Sequence, residues 1–289
     1  MASSMITIED LVRKTPDLPS IPAAALRVIR ETDSSTSSAG SVAHILAQDQ
    51  ALSVRVLRLA NSAYYGMSRK IADLSEAVIV LGMRSIRNLA MVASTYPWMV
   101  RPLAGYCLGP RQLWTHSFGV AIGAQSIAEK AKLPSVESAF TAGLLHDLGK
   151  VALSIWLENK VAALIALANR DGLTFDQAER KVLGFDHTEV GQYMAEQWNL
   201  PDTLVNAIRY HHEPNLCYPH CKVVDCVHIA DYLTMTMGFG LGGDGLQYGF
   251  CEEALDRLGL TLLDLDEITD TFVMAYEGYE SLFSELQVA

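Results

Sequence analysis

Apolar residues recur at intervals of three and four along most of this chain, the spacing that lines one face of a helix. Leu52, Val56 and Leu59 follow it, as do Ala77, Val78 and Leu81, then Ile86, Leu89, Ala90 and Ala93. Start signals agree. Thr7-Ile8-Glu9-Asp10 reads as a capping box, Pro22 stands where Ala23 to Glu31 begins, Ser75 caps a further helix, and Thr174-Phe175-Asp176-Gln177 repeats the capping pattern. Ser41 to Ala47 adds another helix. Strand-like alternation is nearly absent, and Val78-Ile79-Val80-Leu81 is the one ambiguous patch. The pattern predicts an all-α protein.

Pro97, Pro102, Gly105, Gly109 and Pro110 crowd the stretch from Tyr96 to Pro110. Such punctuation separates segments, which predicts two helical lobes, residues 1–105 and 106–289. In the second lobe the periodicity predicts helices over Arg111–Lys132, Ser138–Lys150, Leu157–Arg170, His187–Trp198, Pro201–His212 and Cys221–Met237. The glycine-rich run Gly238–Gly245 reads as a loop, and two amphipathic segments close the chain.

Composition narrows the function. Half of the 289 residues are apolar and 19% are charged, which suits a globular protein with ample core. The net charge of -11 and pI near 5.1 argue against a nucleic-acid surface, which needs a basic stripe. The longest apolar runs fall short of the ~18 residues of a membrane span, and no basic amphipathic helix marks a membrane surface. Met1–Lys14 carries Glu9 and Asp10 and no apolar core, unlike a secretory signal. The five cysteines, an odd number, fit a reducing compartment, and the expected location is the cytoplasm. Cys217, Cys221 and Cys226 cluster near His220, but C-x3-C-x4-C matches no standard zinc spacing, and free thiols are the better reading.

The informative chemistry lies at seven positions: His116, His146, Asp147, His187, His211, His212 and Asp231. Each sits within a predicted helix, and most fall on its apolar side. His116 lines up with Leu113, Val120 and Ile127, His146 with Ala139, Ala142 and Gly143, and His187 with Val190, Gly191 and Met194. His211 and His212 follow Leu204 and Ile208, and Asp231 shares a face with Val224, Val227 and Met235. A single such histidine is ordinarily a core residue bonded to a carbonyl. Seven buried imidazoles and carboxylates together call for a shared partner, because each is costly to bury alone, and a cation is the simplest one. His44, His220 and His228 lack such company and read as surface or structural.

This donor set suits iron, manganese, zinc or nickel. Five histidines and two aspartates exceed one tetrahedral ion and suffice for two ions ~3.5–4 Å apart. The neighbours His146 and Asp147 diverge by about 100° on a helix, so that one can hold a first ion while the other bridges to a second. Such a pair activates water against a phosphoester. Lys150 then reads either as a point charge for a phosphate oxygen or as a helix C-terminal cation.

Ala142-Gly-Leu-Leu-His146-Asp147-Leu-Gly-Lys150, with Trp114-Thr-His116-Ser upstream and Tyr210-His211-His212-Glu-Pro214 downstream, resembles the HD superfamily of metal-dependent phosphohydrolases. More closely, residues 15 to 237 resemble the HDOD family, the HD-related output domain of bacterial signalling. The first lobe carries Leu18-Pro-Ser-Ile-Pro22, the segment Asp49 to Ser62 followed by Tyr65-Gly66, and the stretch Ile71 to Gly82, in that family's order. The resemblance implies an HD-like helical bundle as the second lobe, and a regulatory or scaffolding module in signal transduction. Many members of that family have lost HD-type ligands, whereas every ligand-type position is kept here. The loop after His211-His212 is shorter than in the related HD-GYP phosphodiesterases and lacks their glycine, which counts against cyclic di-GMP as substrate.

Three functions follow as expectations. The first is a signalling module acting through protein or ligand contact, with one or two divalent ions in the HD-type site. The second is a metal-dependent phosphohydrolase acting on a nucleotide or cyclic dinucleotide, with Asp147 and Lys150 as its catalytic residues. The third is a metal or redox sensor. A signalling partner is expected, with the Tyr64-Tyr65-Gly66-Met67 corner as part of the contact surface. A nucleotide ligand is a further expectation, and Arg55, Arg58, Arg84 and Arg87 read either as reaching an anion across a cleft or as a solvated face.

Overall fold

The computed structural model describes residues 6–243 and 248–286. The expected Gly238–Gly245 loop therefore lies partly outside the described residues. Among those described there is no strand, only an isolated bridge between Leu103 and Leu108. The fold is all-α.

Two compact units are present. One comprises Met1–Pro19 and Met99–Phe272, the other Ser20–Trp98 and Val273–Ala289. The division lies at Trp98/Met99, upstream of the expected 105/106. Helix α1 (Ile8–Lys14) belongs with the later helices because it packs on two of them, α8 and α11, introduced below. Trp156 Nε1 also donates to Thr15 Oγ1 at 3.2 Å.

The unit starting at Ser20 contains α2 (Ala23–Thr32), α3 (Ala39–Ala47), α4 (Gln50–Ala60) and α5 (Leu74–Met99). Val28, Leu46, Val56, Leu59 and Ile86 are fully enclosed, as the periodicity predicts. Gly82, at φ 83°, breaks α5 into the two expected helices. An 18-residue window of α5 has mean hydropathy 1.3, enough to span a membrane by length and composition. Of that window 56% is buried in the protein, as in a core helix. Arg87 is 2% exposed and ion-paired with Asp33, and Arg55 donates to the Ala93 carbonyl, so both are held within this unit.

The other unit is built on α6 (Gln112–Lys130), which packs against α7 (Val136–Leu145) and α13 (Lys222–Thr236). Around them lie α8 (Leu148–Leu157), α9 (Val161–Asp171), α10 (Phe175–Leu183), α11 (His187–Gln197) and α12 (Asp202–Tyr210). α14 (Glu252–Leu258) follows, with the part of α15 (Leu262–Leu286) up to Phe272. α8 and α11 cross at Gly149, where a Cβ would lie 1.8 Å from the His187 carbonyl oxygen. Only glycine allows this approach, which brings Asp147 and His187 into one layer.

One expected helix is divided and another starts late. Ser138–Lys150 breaks at His146-Asp147 into α7 and α8, and the expected Leu157–Arg170 begins instead at Val161. Consequently His146, Asp147, His211 and His212 lie at helix ends, His187 opens α11, and only His116 and Asp231 lie inside helices.

Candidate metal centre

Two of the histidines are aimed by the same local device. His146 follows α7, and its Nδ1–H donates to the Gly143 carbonyl at 2.7 Å. His211 follows α12, and its Nδ1–H donates to the Ile208 carbonyl at 2.9 Å. The last carbonyls of a helix have no intrahelical partner. In both motifs a histidine caps one and turns its Nε2 away from its own helix. His116 Nδ1 lies 3.3 Å from the Phe239 carbonyl, and His187 Nδ1 lies 2.8 Å from Glu179 Oε2. A carbonyl can only accept, so Nδ1 carries a proton in His116, His146 and His211, and in the neutral ring each Nε2 is a lone pair.

The lone pairs converge. Ligand atoms of His116, His146 and Asp231 lie within 4.8 Å of one another, as do those of Asp147, His187, His211 and His212. Asp147 faces both groups. Its Oδ2 lies 3.4 Å from His146 Nε2 and 3.8 Å from His116 Nε2, and its Oδ1 lies 3.6 Å from His187 Nε2 and 3.8 Å from His211 Nε2. Asp231 Oδ1 lies 3.0 Å from His116 Nε2, and its Oδ2 lies 3.7 Å from His212 Nδ1. All seven positions singled out in the sequence thus stand in one cluster.

The cluster fits a cation on its own evidence. His146 Nε2, His211 Nε2, Asp231 Oδ1 and both Asp147 oxygens are buried without a well-aligned hydrogen bond. Lone pairs facing carboxylate oxygens at these distances repel, and a buried unsatisfied acceptor costs roughly 1–3 kcal/mol. A positive charge between them removes both costs. Lys150 supplies part of it, with Nζ 2.8 Å from Asp147 Oδ2. It lies in the first turn of α8, so the reading as a helix C-terminal cation does not apply.

Protonation follows the same geometry. Burial alone would raise Asp147, but Lys150, His146 and His187 hold it well below the usual carboxylate range. Burial alone would raise Asp231, but the close approach and charge of His116, with the charges of His146 and His211, draw it down to about 2. Burial and neighbouring histidines push His211 down to about 3 and His212 well below its usual value, which keeps both neutral and able to ligate. His187 goes the other way: burial lowers it, but the Glu179 charge and hydrogen bond carry it up to about 9.

Glu179 and Tyr106 escaped the sequence reading. Glu179 is fully enclosed on α10, accepting the His187 backbone N–H at 2.9 Å as well as its Nδ1–H, and Tyr106 donates its hydroxyl to Oε1. A signal was present: Glu179 shares the buried stripe of Phe175, Ala178 and Leu183. His228, expected to be surface or structural, is buried and donates Nδ1–H to the His211 carbonyl at 2.7 Å. Neither ligand group among the described residues contains a cysteine, and His220 bonds Asp225 instead, so the zinc reading of Cys217, Cys221 and Cys226 gains no convergence.

The mouth of the cluster is narrow. Tyr248 stacks flat on His212, with ring centroids 3.8 Å apart, and the Gly240 backbone lies against His116. The cavity lined by His116, Asp147, Lys150, His212, Asp231 and Tyr248 measures about 10 Å³, roughly the space of one water.

Residues 18–214 match the model of the HDOD domain. The chain belongs to the HDOD family. An HDOD domain protein with unknown function from Geobacter sulfurreducens is 26% identical over 95% of this chain and 96% of its own, with a TM-score of 0.77. A candidate phosphohydrolase from Shewanella amazonensis SB2B is 25% identical over 96% of this chain and 97% of its own, with a TM-score of 0.67. An uncharacterized protein of Treponema pallidum (strain Nichols) is 26% identical over 224 residues, 77% of this chain. The HDOD chain spans only 42% of that curated relative's length.

Proposed function

We propose that this HDOD protein is a bacterial signal-transduction module that holds divalent ions in its HD-type cluster and acts by protein contact rather than turnover. The observation that carries the reading is the pairing of a complete ligand set with a cavity of about 10 Å³. His116, His146 and Asp231 would hold one ion and His187, His211 and His212 a second, with Asp147 shared between them. Bound there, the ions supply charge that fixes the ends of α7 and α12 and the start of α11. A nucleotide exceeds the cavity of about 10 Å³ that the described residues leave beside Asp147 and Lys150. Contact as the output is supported by α5, where Ile79 and Val80 stand 73% and 43% exposed.

A second reading, phosphohydrolysis, is favoured by Lys150, an ammonium on the cavity wall beside Asp147. Bound divalent ions would supply Lewis acidity toward a phosphoester. Lys150 would then orient a phosphate oxygen, and Asp147 would stay ionised.

One experiment separates the two. Protein purified without chelator is analysed for metal and assayed with bis(p-nitrophenyl) phosphate. About two equivalents of metal without turnover support the proposal. Turnover abolished by both His146→Ala and Asp147→Ala would overturn it in favour of the enzyme. No metal, before or after reconstitution, would remove the metal from both readings.

A further inference from the structure

Beyond the ligands, α10, α11 and the turn after α12 meet around one cation. Arg180 Nε pairs with Asp186 Oδ2 at 2.5 Å, its NH2 donates to Glu213 Oε2 at 3.0 Å, and its NH1 lies 3.5 Å from Asp176 Oδ2. Each main contact is the chain neighbour of a residue in the cluster. Arg180 itself follows Glu179, Asp186 precedes His187 and Glu213 follows His212. In all three pairs one side chain belongs to the ligand network and its neighbour to the arginine network.

Asp186 is already committed as the cap of α11, its Oδ1 accepting Thr188 N–H at 2.7 Å and Glu189 N–H at 2.9 Å. Its second oxygen, fully enclosed, has Arg180 as its charge partner. Glu213 has no such anchor in the helix before it. A planar guanidinium can satisfy several carboxylates in fixed directions, which a lysine cannot.

We infer that Arg180 is a positioning residue: it holds His187 and His212 at ligating separation, and thereby sets the affinity of the half-site made by Asp147, His187, His211 and His212. Their Nε2 atoms stand 3.2 Å apart. His116 sits on α6, His146 at the end of α7 and Asp231 on α13, none of which Arg180 touches, so this half-site should feel its loss less. The metal consequence rests on the function proposed above; the positioning of His212 does not.

The test uses the full chain with Arg180→Met and Arg180→Lys, and two readouts. Backbone hydrogen exchange, followed in the metal-stripped protein, should quicken at His211–Glu213 in Arg180→Met and remain unchanged in α6 and α13. Manganese titration should then show one of two ions weakened by ~10–100-fold, the range for outer partners of metal ligands, with Arg180→Lys in between. Unchanged exchange at His211–Glu213, or exchange raised equally throughout the chain, overturns the positioning role. Equal weakening of both ions overturns its confinement to one half-site. If the parent protein binds no manganese, the proposed metal function fails, and the exchange result still decides the role of Arg180.

Discussion

Glu179 Oε2 accepts both hydrogens that His187 turns away from the cluster, the backbone N–H at 2.9 Å and Nδ1–H at 2.8 Å. A carboxylate behind an imidazole fixes its tautomer and strengthens its other nitrogen as a ligand. Glu179→Gln keeps the shape and removes the charge. Manganese affinity should fall ~10–100-fold with the helical content unchanged; an affinity equal to the parent's would show that the carboxylate tunes nothing.

Stability of the metal-stripped protein should peak near neutral pH. His187 is raised from 6.5 to about 9, so its contribution is complete below 6.5 and is lost as pH climbs through 9, about 3 kcal/mol in all. His116, also raised, adds to this alkaline limb. His211 has the opposite sign: depressed to about 3, it contributes above 6.5 and costs about 2 kcal/mol by pH 5. His212 acts in the same direction. Urea midpoints from pH 5 to 9 check this, and His187→Gln should flatten the alkaline limb. A parent curve that climbs steadily to pH 9 would contradict the assignment.

Asp147 and Lys150 should be coupled in the metal-free protein. Asp147→Asn removes the carboxylate that the buried Lys150 ammonium faces at 2.8 Å, a loss of about 3–5 kcal/mol. Adding Lys150→Met should recover most of it, because the double variant buries no lone charge. Denaturation of the two single variants and the double one gives the coupling directly, and simple additivity would mean that the 2.8 Å ion pair contributes nothing.

Tyr248→Ala should speed metal exchange without changing the ligand set. A stacked aromatic pair contributes about 1 kcal/mol beyond burial, so metal loss to excess chelator should accelerate about fivefold. Stopped-flow chelation measures it. An unchanged rate would mean that ions leave by another route than past the His212–Tyr248 stack.

Much of this was readable in the chain. The 3.6-residue period carries helix existence, since Leu52, Val56 and Leu59 must be buried together. The seven cluster positions stood out because polar groups on apolar stripes need a reason. What periodicity hides is where a helix stops. Ser138–Lys150 reads as one helix because Ala139, Ala142, Gly143 and His146 keep helical spacing; the break at His146-Asp147 comes from an imidazole capping the Gly143 carbonyl. Glu179 was missed for a related reason: its partner lies eight residues away, beyond the turn that starts α11. Proline and glycine mark where a chain turns, not which core the turned segment joins: α1 packs on α8 and α11.

The division of the chain has a topological consequence. It passes from one unit to the other at Pro19/Ser20, back at Trp98/Met99, and over again at Phe272/Val273. Ser20–Trp98 is therefore an insertion within the unit that carries the cluster, whose longer segment, Met99–Phe272, is itself bracketed by the two segments of the other. No single scission releases either one whole. A ribosome making this chain leaves α1 waiting for α8 and α11, which end at Gln197, and Ser20–Trp98 waiting for the segment after Phe272.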